Sequence, residues 1–308
     1  MGSVADFVFG PLPPIEETTP AGTAEQAAAA NPLGPLAGLA GKWTGTGFNV
    51  IWRPHPLQPG GDDHFLELNV TSEQLDFGPA LQKIPNRGLL QPNISLAGLN
   101  YLQQISDSNT NTKQHFEPGV WVTVPKTSDP HEPRTVARLA SIPHGTTILL
   151  QGTAHTAAGA PSIPNVSITP FNIGQPGSKV SFKEQTLTKQ SQFRTSGPGL
   201  TGVTQQMVDN PNSVLHSPSS PQITTTTTLH VSSHDDSLPG GGTANIAFLK
   251  GTTDGPNAVA AHVTATFWLE TLQGDAHPRR LQYSQLVLLN FATLSWPHVT
   301  VATLHKQP

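Results

Sequence analysis

The segment Val259–Leu272 constrains the fold more than any other part of the sequence, because its side chains alternate with a period of two. Val263 and Phe267 fall on an apolar face, while His262 and Trp268 fall on the opposite, mixed face. Successive side chains of a β-strand point to opposite sides of a sheet. The segment is therefore predicted to be a strand with one buried face and one face that is wet or lines a ligand.

Further short apolar segments, separated by Gly and Pro, predict other strands. They are residues 42–52, 65–75, 119–125, 135–140, 146–152, 181–189, 224–232, 281–289 and 299–305. About ten strands is typical of a barrel or a sandwich. Charged residues make up only 12% of the chain, with 28 Gly and 30 Pro, and this composition argues against a helical bundle. We therefore predict an all-β protein.

Several classes of partner are excluded by the rest of the composition. The chain has no Cys, so disulfides, thiolate metal sites and cysteine nucleophiles are absent. A net charge of -4 without a run of Lys or Arg predicts no nucleic-acid partner. No stretch of about 18 apolar residues predicts a membrane helix, and no signal peptide is recognisable at Met1, so we expect a cytoplasmic protein.

The organisation predicted along the chain is a single domain with additions. Residues 1–35 are rich in Pro, Ala, Glu and Thr, which predicts a mostly irregular N-terminal extension. Residues 36–306 then form one β domain. Around residues 155–258 long stretches rich in Pro, Ser, Asn and Gly predict loop insertions rather than a second core.

Three short patterns occur at both ends of this predicted domain. The first is the series Gly41, Trp43, Gly45 and Gly47, and the second is His-x-Glu-x-Gly-x-Trp within Gln114–Val122. The third is the near-terminal segment LSWPHVTVATL. In the first pattern, glycines allow close packing where a barrel closes, and Trp43 is suited to plug one end.

These patterns, in this order, resemble the nitrobindin family of β-barrels. The resemblance implies an antiparallel up-and-down barrel of about ten strands with haem b as cofactor. The third pattern is similar to the family's last strand, and the axial ligand of the haem iron then falls on His298, with Ala302 also matching. The resemblance thus implies His298 as the metal ligand, and we place Trp43, Ala302 and His262 beside it as cofactor-binding residues.

Two further histidines are candidates for a role in such a site. His144 lies in a predicted hairpin after Pro143, where its side chain can overhang a barrel mouth as a distal group, and His55 is a second candidate donor. His115 and Glu117 share a strand face, but in the family this segment is architectural, so we interpret both as structural.

The function implied by the resemblance is binding of small ligands, such as nitric oxide, peroxynitrite or hydrogen peroxide, to a His-ligated ferric haem with an open distal site. Peroxidase and peroxynitrite isomerase activities are the corresponding enzyme hypotheses. An apolar barrel also suits a fatty acid or another lipophile, so a haem-free, non-enzymatic carrier is the alternative. A third alternative is an assembly module in which the long loops form a homo-oligomer interface.

Overall fold

A computed structural model describes residues 31–56, 62–188, 202–216, 222–234 and 237–308. Residues 33–308 make up one compact unit. Most of the predicted N-terminal extension, residues 1–30, lies outside the described residues. The all-β fold predicted from the sequence is confirmed, because the described part consists of long antiparallel strands and a few short helices.

Twelve strands are present in the described residues. They are β1 (Gly41–Pro54), β2 (His64–Asn86), β3 (Ile94–Asp107), β4 (Lys113–Val124), β5 (Thr135–Ile142), β6 (Thr146–Ala158), β7 (Phe171–Asn172), β8 (Ile223–Ser232), β9 (Gly242–Asn245), β10 (Val259–Leu272), β11 (Arg280–Phe291) and β12 (Leu294–Lys306). The short helices are α1 (Gln205–Asp209), α2 (Ala247–Lys250) and the 3-10 turns Gly34–Leu39, Lys183–Gln185 and Pro211–Leu215.

Ten of the strands close into an antiparallel barrel. The order around it is β1-β2-β3-β4-β5-β6-β8-β10-β11-β12, and pairing of β12 with β1 completes the circle. The two remaining strands are additions, since β7 pairs with the start of β12 and β9 with the start of β6. Neighbouring strands run in opposite directions, so Pro54, Lys113, Ile142 and Leu294 all lie at one end of the barrel, which we call the mouth.

The interior of the barrel is filled by alternate side chains from all ten strands. The inward-facing core includes Trp43, Leu75, Leu99, Trp121, Val136, Ile148, Leu229, Phe267, Tyr283 and Leu304. At the end opposite the mouth, the 3-10 turn Gly34–Leu39 packs on this core, and Trp43 Nε1 donates to the Leu39 carbonyl at 2.7 Å. This end of the barrel is therefore closed.

A second hydrophobic cluster lies on the outside of the barrel. Outward-facing Val299 and Val301 of β12 pack with Ile168, Val208 and other residues of the long insertion. The insertion around residues 155–258, predicted as loops rather than a second core, thus buries an apolar outer face of the barrel. The predicted strand 181–189 is also wrong: Lys183–Gln185 is a 3-10 turn, and residue 189 lies outside the described residues.

Among the described residues, no helix is both long enough and apolar enough to cross a membrane.

Candidate functional site

His298 points into the barrel near its mouth. It pairs across the sheet with Ile51 of β1 and Val287 of β11. Side chains alternate along β12, so His298 shares a face with Ala302 and Leu304, which belong to the interior core. The His298 side chain is partly accessible to solvent, although many protein atoms surround it. Because the side chain lies on the inner face of β12, its accessible surface faces the inside of the barrel.

The environment of His298 keeps its imidazole neutral. Burial lowers its pKa to about 3, and the positive charges of His115, Arg53 and His144 act in the same direction. Nε2 lies 3.3 Å from Thr300 Oγ1. Nδ1 has no hydrogen-bond partner among the described residues. A neutral imidazole with one uncommitted nitrogen is the form of histidine that binds metals.

An unpartnered polar atom lies in the same part of the interior. Asn49 of β1 faces Thr300 across the sheet, and its Oδ1 is buried without a hydrogen bond. Buried polar atoms are nearly always satisfied in folded proteins, by protein, by water or by a ligand. The level of the barrel that holds His298 is thus polar enough to bind a water molecule or a polar group of a ligand.

Two further imidazoles lie on the wall opposite His298. In a ring of ten strands, β5 is the strand farthest from β12, and β4 and β6 are its neighbours. His115 lies on the inward face of β4, and His144 lies in the turn between β5 and β6. Their ring centroids are 5.8 Å apart. The structure therefore places His144 at the mouth, where the sequence predicted it.

Arg53 and His144 both lie at the mouth of the barrel. Burial lowers the pKa of His144, and the charges of His115 and Arg53 lower it further. Arg53 Nη1 makes an exposed ion pair with Glu67 Oε2 at 2.7 Å. Exposed ion pairs of this kind contribute little free energy, so Arg53 can leave Glu67 and bind another anion with a small loss of stability.

A network of buried polar side chains forms the floor beneath this space. Arg138 of β5 donates to Glu117, to the Tyr101 hydroxyl at 2.8 Å and to Gln285 at 2.7 Å. Gln285 is the cross-strand neighbour of Thr300, so the network reaches the level of His298. The Arg138 guanidinium also lies 5.3 Å from the centre of the Phe267 ring, a cation–π contact.

A second part of the floor centres on Glu73. The Tyr283 hydroxyl donates to Glu73 at 2.5 Å, Thr71 donates at 2.8 Å, and Gln103 donates to the Tyr283 oxygen at 2.9 Å. Burial raises the pKa of Glu73 to about 7, although these hydrogen bonds lower it. The barrel therefore encloses a carboxyl group that holds its proton close to neutral pH.

Most residues of this floor were not predicted from the sequence. Arg138, Gln103 and Tyr283 were not singled out, although one signal was present: Arg138 interrupts the apolar segment Thr135–Ile142 at an inward-facing position. A charged residue on the buried face of a strand requires a partner inside the barrel. That partner is Glu117.

Three residues predicted to bind the cofactor lie away from the open space. Trp43 pairs with Lys306, eight residues along the strand from the Ile51–His298 pair, which is roughly 26 Å at ~3.3 Å per residue. Ala302 belongs to the filled core beside Tyr283. His262 is on the outer face of β10, where Nε2 lies 2.8 Å from Thr264 Oγ1. Of the four residues predicted to bind the cofactor, the structure places only His298 on the inner face near the mouth, and cofactor binding by any of them stays a prediction.

Within the described ranges, no three His, Asp or Glu side chains come together as a site for a bare metal ion. His115 and His144, whose ring centroids are 5.8 Å apart, do not form such a group with His298.

Comparisons with known proteins add the following. No family model matches the sequence, and no curated protein matches it. Among solved structures, the chain is similar to the crystal structure of Rv2717c from M. tuberculosis, with 15% sequence identity and a TM-score of 0.41 over 90% of this chain and 98% of that chain. A likeness of this degree carries no argument about function, which therefore rests on the side chains of this chain.

Proposed function

We propose that the barrel binds haem b with His298 as the axial ligand of the iron, and that small ligands occupy the opposite coordination position. The observation that carries this proposal is the inward-facing, neutral imidazole of His298, whose Nδ1 has no partner among the described residues. A haem iron takes a single protein ligand on its proximal side, and a histidine is a common choice. One correctly placed imidazole is therefore sufficient to bind a haem iron.

The surrounding residues fit such a group. Ile51 and Val287 flank His298 with apolar side chains, which suit a flat aromatic ring system. At the mouth, Arg53 and His144 are suited to the carboxylates of haem.

The roles of the chain in this proposal follow from these positions. When bound, haem supplies an iron centre that coordinates nitric oxide, peroxynitrite or hydrogen peroxide. His298 would hold that centre, and Thr300, whose Oγ1 lies 3.3 Å from Nε2, would help to orient the imidazole. The floor around Arg138 and Tyr283 fills the barrel below and excludes bulk water from this side.

Uptake of haemin by the purified protein tests the proposal. His262→Ala is a matched control, because it also removes one imidazole from a strand but from the outer face. We expect the wild type and His262→Ala to take up haemin with the same Soret spectrum and the same pyridine haemochrome content. His298→Ala should bind at least about tenfold more weakly and with a shifted Soret band, since a coordination bond is lost.

Equal uptake by His298→Ala and the wild type would show that His298 is not the ligand. A wild-type protein that stays colourless with haemin and takes up a fatty acid instead would make the barrel a carrier of lipophilic molecules, and the haem proposal would then be wrong.

A further inference from the structure

The hairpin that joins β2 to β3 projects past the closed end of the barrel, opposite the mouth. β1 begins at Gly41, which faces Phe77, so residues 80–86 of β2 have no partner from β1. Pairing of β3 with β4 begins at Ala97, so residues 94–96 of β3 pair with β2 alone. Among the described residues, the outer part of this hairpin is therefore a two-stranded ribbon without a neighbouring strand on either side.

The tip of the ribbon, residues 87–92, exposes two adjacent leucines. Leu89 is 95% exposed and Leu90 is 76% exposed, and these are the two most exposed large apolar side chains of the described residues. Single apolar side chains on a surface are normal, whereas grouped ones mark a contact site. The tip is therefore a candidate interaction surface.

Hydrogen bonds order this tip. Gln91 Oε1 accepts from the backbone nitrogens of Ser128 at 2.7 Å and Asp129 at 3.0 Å, which ties the tip to the loop after β4. The Gly88 nitrogen donates to Asn93 Oδ1 at 3.1 Å. A Cβ atom at Gly88 would lie 2.1 Å from the Gln91 carbonyl oxygen, so only glycine allows this close approach. The leucines are thus held on a preordered loop, and binding through them costs little conformational entropy.

The charges of the hairpin are exclusively positive. Residues 77–106 contain Lys83 and Arg87 but no Asp or Glu, although the whole chain has a net charge of -4. The loop 125–134, which holds Gln91, contains two cations and two carboxylates and so adds no net charge. The projecting ribbon therefore complements an anionic surface.

The edge of the ribbon is poorly suited to pairing with a strand of a partner protein. Its pairing is irregular between Phe77 and Ala80 and again between Leu81 and Ile84. Lys83 has a φ of 54° within the second irregularity, and Pro85 has no backbone N–H to donate. Such features protect an edge strand from strand addition. The leucines of the tip, rather than the edge, are therefore the contact group.

We propose that the tip of this ribbon attaches the protein to an anionic lipid bilayer. Leu89 and Leu90 enter the acyl region, and the basic side chains contact the headgroups, the combination that binds peripheral proteins to membranes. Arg87 is two residues from Leu89, and Lys83 lies four residues farther along the ribbon, roughly 13 Å at ~3.3 Å per residue. The mouth then faces away from the bilayer. This inference does not depend on the haem function.

Cosedimentation of the full chain with lipid vesicles tests the proposal. Vesicles of phosphatidylcholine with phosphatidylglycerol should bind the wild type, and vesicles of phosphatidylcholine alone should bind it more weakly. Leu89→Ser/Leu90→Ser should bind the anionic vesicles at least about tenfold more weakly, because two buried leucines are lost. Lys83→Gln/Arg87→Gln should lose about tenfold on anionic vesicles and less than about twofold on neutral ones.

Ile246→Ser/Phe248→Ser is the matched control. It also removes two exposed apolar side chains, which are 53% and 72% exposed, but these flank the β5–β6 turn at the mouth. Its affinity for vesicles should equal that of the wild type. A loss in this control as large as that in the leucine variant would mean that the mouth contacts the bilayer, and the proposal would be wrong.

A second measurement uses the absence of cysteine from the chain. A polarity-sensitive fluorophore attached to Leu89→Cys should shift to the blue when anionic vesicles are added, whereas the same fluorophore on Phe248→Cys should not shift. No shift at position 89 in a protein that sediments with vesicles would overturn the insertion of the tip.

Two further outcomes separate the possible partners. A wild type that does not bind anionic vesicles overturns the proposal, even if it takes up haem. If, in addition, Leu89→Ser/Leu90→Ser abolishes self-association in size-exclusion chromatography, the tip is a protein contact instead.

Discussion

Replacing Glu73 by Gln should make the protein more stable than the wild type above pH 7, and this gain should disappear in acid. Glu73 is 4% exposed, and burial raises its pKa from 4.5 to about 7. The native state therefore keeps this proton up to about pH 7, whereas the unfolded chain releases it near pH 4.5. The stability that Glu73 contributes is complete below pH 4.5 and is lost as the pH rises through about 7.

The magnitude follows from the difference between the two pKa values. From 4.5 to about 7 is about 2.5 units, and at ~1.36 kcal/mol per unit the free energy of unfolding falls by about 3 kcal/mol. His298 acts in the opposite direction, because its pKa is lowered from 6.5 to about 3 and its contribution rises with pH over that interval. The two effects oppose each other in the wild type, so only the difference between variant and wild type isolates Glu73.

Urea denaturation between pH 4.5 and pH 8.5 measures this difference. The stability of Glu73→Gln relative to the wild type should increase by about 3 kcal/mol across the range. Asp254→Asn, which alters an exposed carboxyl group, serves as the control and should show no such trend. A constant difference between Glu73→Gln and the wild type at all pH values would refute the assignment of a neutral, buried Glu73.

Three further perturbations test other parts of the structure. Arg138→Met leaves the Glu117 carboxylate buried without its cation and should cost about 3–5 kcal/mol in urea denaturation, part of which Arg138→Met/Glu117→Gln should restore. Trp296→Ala removes a ring that stacks on Phe291 in the outer cluster and should cost about 3–5 kcal/mol, whereas Leu89→Ala, at an exposed position, should change stability by less than about 0.5 kcal/mol. The stability of His298→Gln relative to the wild type should fall as the pH rises from about 3 to 6.5, as measured by urea denaturation.

The sequence predicted most of the barrel strands from their short apolar segments, including one that carries the buried Arg138 on its inner face. Val259–Leu272 was identified because the inward Val263 and Phe267 alternate with other residues. The strand Ile94–Asp107, whose inward face includes the polar residue Gln103, was not predicted. Gln103 is buried because it donates to Tyr283, a contact made 180 residues away in the chain. Periodicity alone cannot reveal a polar interior that long-range partners stabilise.

The resemblance to the nitrobindin family predicted an inward-facing His298, but not which residues surround it. Trp43 was predicted to bind the cofactor, yet the antiparallel pairing of β1 with β12 puts it beside Lys306. The outward-facing Val299 and Val301 could have indicated how the outside of β12 is covered. Apolar residues on both faces of β12 indicate that its outer face is covered too, here by the insertion.

Resonance Raman spectroscopy of the haem-loaded protein tests most directly whether His298 holds the iron. With nitrogen-15-labelled histidine, the iron–histidine stretching band of the wild type should shift to lower frequency. His298→Gly loaded with haem and supplemented with unlabelled imidazole should regain the band without the isotope shift, because the replacement ligand carries no label. An isotope shift that persists in His298→Gly under these conditions would mean that another histidine of the chain binds the iron, and the central proposal would be wrong.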